Sequence, residues 1–236
     1  MLIPSLCFAG GARGFDETND QISNSSVPSL GTTNAVLTCW VKLDSTSESG
    51  AFMKVGTTLN GYGVGVGATT FDDAGNNLIG LYEAVAWKDT NTNIGTGWHH
   101  IFMRIDGGDD CTMNIDGVQA AFFSGLSGIA PTSGTITVGG YTGAGLENRF
   151  VDADMAYCAI YDDQLVTVDT WPIYQIMWLP ESLPYYTISN GIQLLWPLWG
   201  SDPEQDISGN GRTGTVTESS VLQDGPPVGF GMFLPL

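Results

Sequence analysis

Residues 96–119 read TGWHHIFMRIDGGDDCTMNIDGVQ. Two apolar alternations, Trp98–Ile105 and Cys111–Ile115, flank an Asp/Gly cluster, and the second ends on Asp116-Gly117. Alternation at period two marks half-buried strands, and Asp-Gly steps mark the tight turns between them. On such a strand His99, Ile101, Met103 and Ile105 share one face, while Trp98, His100, Phe102 and Arg104 share the other. The adjacent histidines therefore point apart and cannot act as a pair. Each reads as a structural histidine, hydrogen-bonded within a sheet.

The same pattern extends outward along the chain. Further strands are expected at Ser5–Phe8, Asn34–Leu43, Ala51–Val55, Tyr62–Gly67, Leu78–Tyr82, Gly134–Val138 and Asp154–Tyr161. Asp72-Asp73-Ala74-Gly75 and Asp106-Gly107-Gly108-Asp109 supply turns, where Gly takes positive φ and Asp bonds its own backbone. One helix is expected, over Asp169–Trp178, capped by Asp169 or Thr170 and stopped by Pro180 and Pro184. No period of about 20–50 residues repeats. The reading is all-β: a two-sheet antiparallel sandwich over 1–186, then a strand and an extended arm over 187–236. The arm would pack on the sandwich or on a neighbouring subunit. Its last twelve residues, Gly225–Leu236, carry no charge. Phe230, Met232, Phe233 and Leu234 there are the candidate partner contact.

The chain has 236 residues, of which 42% are hydrophobic and 14% charged, with a net charge of −18. Its apolar content is ample for a core, which excludes disorder. Seven Lys and Arg cannot make the basic footprint that nucleic acid requires. An acidic membrane surface would repel the chain, and no apolar run approaches the ~18 residues of a membrane span. The opening MLIPSLCFAGG lacks a basic flank and carries a proline, so it reads as a strand and not a signal peptide. Cys7, Cys39, Cys111 and Cys158 lie in separate apolar stretches, which suits buried free thiols; one disulfide would require maturation outside the cytosol. Eighteen of the 25 acids are Asp, many in turns beside Gly or Asn, so the charge belongs to loop rims.

Several segments resemble the laminin-G-like, concanavalin A-like jelly-roll family. RGFDETNDQISNSSVPSL is similar to that family's first hairpin, LTCWVKLD to its "aWvkp" strand, and TGWHHIFMRIDGG with CTMNIDGVQ to its "WHH" and "DG" strands. ITVGG and FVDADMAYCAIYDDQL resemble its closing strands. The resemblance covers roughly residues 3–178 and implies two packed antiparallel sheets of about six or seven strands each. One departure stands out. Asp206-Ile207-Ser208-Gly209-Asn210-Gly211, followed by Gly214-Thr215, resembles a stretch usually found at the start of such domains, yet here it comes near the end. With Pro226-Pro227 it resembles the tails of bacteriophage structural proteins.

Related glycosidases carry E-x-D-x-x-E on one strand, so that acid and nucleophile share a concave face about 5–5.5 Å apart. The nearest stretch is Asp152-Ala153-Asp154-Met155-Ala156-Tyr157, where Tyr157 replaces the third acid; Glu17-Thr18-Asn19-Asp20 fails as well. No catalytic residues are assigned, and Asp154 is expected to be structural. GYGVGVG at 61–67 lacks Walker spacing and instead leaves one strand face bare for a close backbone or a neighbour's side chain. No cofactor is expected. Calcium is the one cation that the paired loop acids would suit, with Asp72, Asp73, Asp109 and Asp110 as the weak candidates and Asp162-Asp163 a third pair. Tyr82, Trp87, Tyr141 and Trp199 are the candidate glycan-stacking aromatics.

These readings favour a non-enzymatic virion protein, a bacteriophage capsid decoration or head or tail fibre component assembled in the host cytoplasm. Its partners would be a capsid or other virion protein and further copies of itself, with a trimer expected by analogy. The alternative is an extracellular carbohydrate-binding module or adhesin, with calcium assisting.

Overall fold

Antiparallel strands dominate the computed structural model, which describes residues 11–30, 35–57, 61–67, 75–83, 86–106, 110–124, 131, 133–140, 149–162, 191–218 and 222–226, with the backbone alone at 81–83, 86 and 106. The strands are β1 (Gly11–Phe15), β2 (Gln21–Asn24), β3 (Ala35–Leu43), β4 (Gly50–Gly56), β5 (Gly61–Gly67), β6 (Asn77–Glu83), β7 (Ala86–Asn93) and β8 (Trp98–Asp106). They continue as β9 (Asp110–Ile115), β10 (Val118–Phe123), β11 (Thr135–Val138), β12 (Ala153–Asp162), β13 (Ile192–Trp196), β14 (Thr215–Thr217) and β15 (Leu222–Asp224). An eight-stranded sheet runs β10-β9-β8-β3-β12-β1-β15, with β13 also paired to β12; a seven-stranded sheet runs β14-β2-β11-β4-β5-β6-β7. The two-sheet antiparallel sandwich expected from the sequence is therefore present.

Alternation assigns the layers. Leu37, Cys39, Val41 and Leu43 of β3 and Ile101, Met103 and Ile105 of β8 join one interior cluster with Tyr62, Val64 and Val66 of β5. Val36, Trp40 and Phe102 belong to a second buried cluster with Tyr157, Tyr161 and Leu195, on the far face of the eight-stranded sheet. Both faces of that sheet are thus apolar over β3 and β12, which explains why those strands read as nearly continuous hydrophobic runs. Cys39, Cys111 and Cys158 are buried free thiols. Burial raises the Cys111 thiol above its ordinary range.

The opening motif works as a clasp. Asp116 (φ 52) and Gly117 (φ 77) form the two-residue turn between β9 and β10, since Ile115 pairs with Val118. The Asp116 carboxylate accepts from His99 Nδ1 at 2.7 Å and from the His100 amide at 2.8 Å. Burial opposes its charge, but these hydrogen bonds hold the Asp116 carboxyl below its ordinary value. His100 points to the opposite face, where its ring lies 2.7 Å from Thr38 Oγ1. Thr38 spends its one proton on Ile101 O at 3.0 Å, so His100 Nε2 is the donor and the ring is neutral. Burial holds the His100 pKa down to about 3.

The segment beyond residue 186 supplies strands to both sheets. β13 pairs with β12, β14 with β2, and β15 with β1. Asp206 organises it: Oδ1 accepts from the amides of Leu195 (3.1 Å) and Ser208 (2.9 Å), and Oδ2 from that of Arg212 (2.9 Å). The displaced S-G-N-G stretch is thus a structural loop whose Asn210 donates to Ile192 O at 2.8 Å. Arg13 of β1 is sealed against Glu204, with Nη2 3.1 Å from Oε2 and side-chain exposures of 3% and 0%. Glu204 Oε1 also accepts the Leu198 amide at 2.9 Å. Burial raises the Glu204 pKa, and the Arg13 guanidinium pulls it back.

Several strands were not expected. β7 (AWKDTNTN) is too polar to show apolar alternation, and it forms because β6 offers it a free edge. The first hairpin implied by the resemblance over RGFDETNDQISNSSVPSL does not form: β1 (GARGF) pairs with β12 and β15 in one sheet, while β2 pairs with β11 and β14 in the other. β10, β14 and β15 are short or mostly exposed. The expected strand at Ser5–Phe8, the helix at Asp169–Trp178 and the end segment with Phe230, Met232, Phe233 and Leu234 lie outside the described residues.

Removing the Glu204 carboxylate strands a buried guanidinium. Glu204→Ala is expected to destabilise the fold by about 3–5 kcal/mol, read from urea denaturation followed by circular dichroism. A loss within experimental error would show that the pair does not hold the chain's end.

Candidate functional site

The outer face of the seven-stranded sheet is set by β5. Because Tyr62, Val64 and Val66 point into the core, Gly61, Gly63, Gly65 and Gly67 line the other side. Part of this bareness is structural. A Cβ on Gly65 would meet Gly50 O at 2.3 Å, and one on Gly61 (φ 154) would meet Val55 O at 2.1 Å. The close backbone anticipated for this stripe is thus β4, which bulges between Ala51 and Met53.

Registers across this face define a transverse row. Thr215 pairs with Ser23, Ser23 with Thr137, Thr137 with Lys54, Lys54 with Gly63, Gly63 with Leu81, and Leu81 with Trp87. Directly paired residues share a face, so the row carries hydroxyls, then an ammonium, then the Gly63 notch, then the leucine position 81, then an indole. From Thr137 to Trp87 it crosses four strand spacings, about 19 Å at ~4.8 Å each. Lys54 and Thr137 are buried, whereas Trp87 and Asp89 are half-buried. The Thr137 hydroxyl has no hydrogen-bond partner. Lys54 Nζ donates to Thr57 O, and burial lowers its pKa to about 8. Beyond the notch, Asn77 Nδ2 donates to Asp89 Oδ2 at 3.2 Å. The buried Lys54 and Thr137, the glycines of β5 and the half-buried Trp87 and Asp89 bring to this face the polar and aromatic groups that an uncharged polyhydroxylated ligand requires.

The structure separates the other candidates. Trp199 lies far along the chain, after β13, 46% exposed, with its ring edge-on to Tyr157 at 6.2 Å. Trp87 stands on the seven-stranded sheet while Trp199 lies in the bend after β13 against Tyr157 of the other sheet, so the two do not form one platform. Tyr157 has φ 52, at the bulge between Ala156 and Ala159, and its amide donates to Pro197 O at 3.2 Å. Such a conformation costs a bulky residue about 1–3 kcal/mol. Tyr82 sits on β6 with its side chain outside the description, and Tyr141 lies outside the described residues.

Among the described residues the acids stand apart from one another as metal ligands. Asp154 faces the outer side of the eight-stranded sheet, where Lys42 Nζ holds it at 2.8 Å. The bulge at Tyr157 then breaks the alternation that E-x-D-x-x-E chemistry needs. Asp152 is pushed up to about 6 by burial and by the charges of Asp44, Glu48, Glu17 and Asp16. Among the described residues no group of three or more His, Cys, Asp or Glu could hold a metal ion. Asp110 begins β9, half-buried, while Asp72, Asp73, Asp109 and Asp163 lie outside the described residues. Sequence reading singled out Trp87 and the glycine stripe but missed Lys54 and Thr137. Nothing local marks those two, which meet only through the β4–β11 register.

Comparison with known proteins places this geometry. A family model described as the concanavalin A-like lectin/glucanases superfamily matches residues 16–168. No curated protein matches the chain. Among solved structures, a protein of Bacteroides ovatus assigned to carbohydrate binding superposes with a TM-score of 0.69 at 17% identity, covering 91% of this chain and 60% of that one. The chain thus spans about 60% of that relative's length. A heptameric SAP-like pentraxin from Limulus polyphemus gives 0.52 at 12% identity, covering 71% of this chain and 82% of that one. The binding domain of botulinum neurotoxin DC, in complex with SialylT, gives 0.51 at 12% identity, covering 74% and 44%. At these identities the likeness is one of fold.

The Lys54 environment makes a pH prediction. Its folded pKa of about 8 lies below the ordinary 10.5, so between these values the unfolded chain binds more protons. Stability carried by this group therefore rises with pH across that window. Wild type should gain stability relative to Lys54→Met from pH 8 to 10.5, as read by denaturation at a series of pH values. Parallel curves would place Lys54 in a solvated setting.

Proposed function

The chain belongs to the concanavalin A-like lectin/glucanases superfamily, and on that footing we propose that it is a non-catalytic glycan-binding module. Its ligand lies across the outer face of the seven-stranded sheet. The observation that carries this reading is the row from Thr137 through Lys54 and the Gly63 notch to Trp87. A sugar ring stacks on the Trp87 indole, which is half-buried and so fixed in orientation. Ring hydroxyls meet Asn77 and Asp89 beyond the notch, and a further hydroxyl supplies the partner that Thr137 Oγ1 lacks. The likeness to a structure assigned to carbohydrate binding supports the same ligand class.

Among the described side chains, this arrangement holds no pair of carboxyl groups for hydrolysis. A glycosidase needs two carboxyl groups flanking the bond. Of the side chains described on β4 to β7, Asp89 is the only carboxylate. Asp154 is tied to Lys42 on the other sheet.

A second reading, that the module rides on a virion as a decoration or fibre component, is favoured by the late position of Asp206–Thr215. In that setting the glycan face would be an adhesive surface and the partner a capsid protein.

A glycan array followed by titration calorimetry tests the first reading. Trp87→Ala should weaken binding at least about tenfold, or ~1.4 kcal/mol, while Trp199→Ala leaves it unchanged. No glycan bound, or Trp87→Ala binding as wild type, overturns the proposal. Release of cleaved sugar from any bound glycan would overturn its non-catalytic part. Loss of binding in EDTA, restored by calcium, would show that the cation assists binding.

A further inference from the structure

We propose that β10 is a self-association edge: two copies pair antiparallel through Val118–Phe123 and join their eight-stranded sheets into one. The inference stands apart from the glycan face. Among the described strands β10 ends its sheet, with β9 as its neighbour in the sheet order. Val118 is 71% and Phe122 53% exposed, two of the five large hydrophobic side chains that the described residues leave in solvent. The strand VQAAFF carries no charge and no proline, two of the devices that blunt a sheet edge, and keeps only a bulge as a third. A bulge between Gln119 and Ala121 bends it, and the Ala120 carbonyl is taken by Thr92 Oγ1 of β7 at 3.4 Å. One strand inward, Asn114 pairs with Gln119 on the same face, and its buried Oδ1 has no hydrogen-bond partner.

Charge decides the occupant. With 25 acids against seven Lys and Arg, two copies repel wherever their loop rims meet. A contact between copies therefore requires an uncharged surface, and β10 is one. A basic or acidic peptide would find no counter-charge on this strand. An antiparallel edge is also self-complementary under a two-fold axis, each strand offering the other its amides and carbonyls. An axis centred between Ala120 and Ala121 sets Gln119 of each copy opposite Phe122 of the other, covering both exposed side chains.

Size-exclusion chromatography with light scattering over a concentration series tests this on the full chain. Wild type should run as two chains. Phe122→Lys and Val118→Lys should each run as one chain with an unchanged circular dichroism spectrum. Leu222→Lys, on the opposite edge strand, should remain at two. A one-chain or three-chain wild type, or a folded Phe122→Lys that keeps the two-chain mass, overturns the proposal. Hydrogen exchange of the wild type gives a reading that needs no variant. The β10 amides should gain protection as concentration rises, and unchanged protection overturns the proposal as well.

Discussion

The ion pair between Arg13 and Glu204 joins the first described strand to the returning end of the chain, and the sandwich closes around it. Arg13 also donates to Ser201 O at 2.6 Å, and Glu204 exchanges two backbone hydrogen bonds with Gly214. Neither charge is reached by solvent, so either one alone would be a buried, uncompensated ion. The last segment must therefore dock in one register. That register carries β13 to β12, β14 to β2 and β15 to β1, completing both sheets from one end of the chain.

Once the sheets are complete, the two outer faces diverge in chemistry. The eight-stranded sheet covers its outer face over β3 and β12 with large apolar side chains, Trp40, Tyr157 and Tyr161 among them. Burial raises the Tyr161 phenol above its ordinary range there. The seven-stranded sheet instead turns glycine, hydroxyls and a lysine to its outer side, with Ile79 the apolar neighbour of Gly65. The acids of the E-x-D-x-x-E-like stretch follow β12 and so stand on the wrong sheet for that surface.

Much of the sandwich was legible in the sequence because its central strands bury side chains on a strict period of two. β3, β8 and β9 fall almost where the alternation sets them, and Asp116-Gly117 forms the turn its chemistry suits. Edge strands were not legible. β7 and β10 bury little, so their side chains carry no period, and only a neighbour's unpaired backbone makes them strands. Within the candidate site, Trp87 and the glycine stripe could be named from the sequence. Lys54 and Thr137 could not, because they are 83 residues apart and meet only by register.

By itself the sequence determined the layer architecture, the buried thiols, the opposed faces of His99 and His100, and a charge carried mostly by turns. Each follows from local periodicity or from a residue's own solvation. Tertiary structure alone decided which strands are neighbours, and hence that Lys54, Gly63 and Trp87 lie in one row while Trp199 does not. It also decided that the S-G-N-G stretch, although displaced to the end of the chain, is a structural loop around Asp206. The physical reason is that strand pairing is long-range. Alternation tells a strand which face to bury, but only the closed sandwich tells it beside which strand to lie.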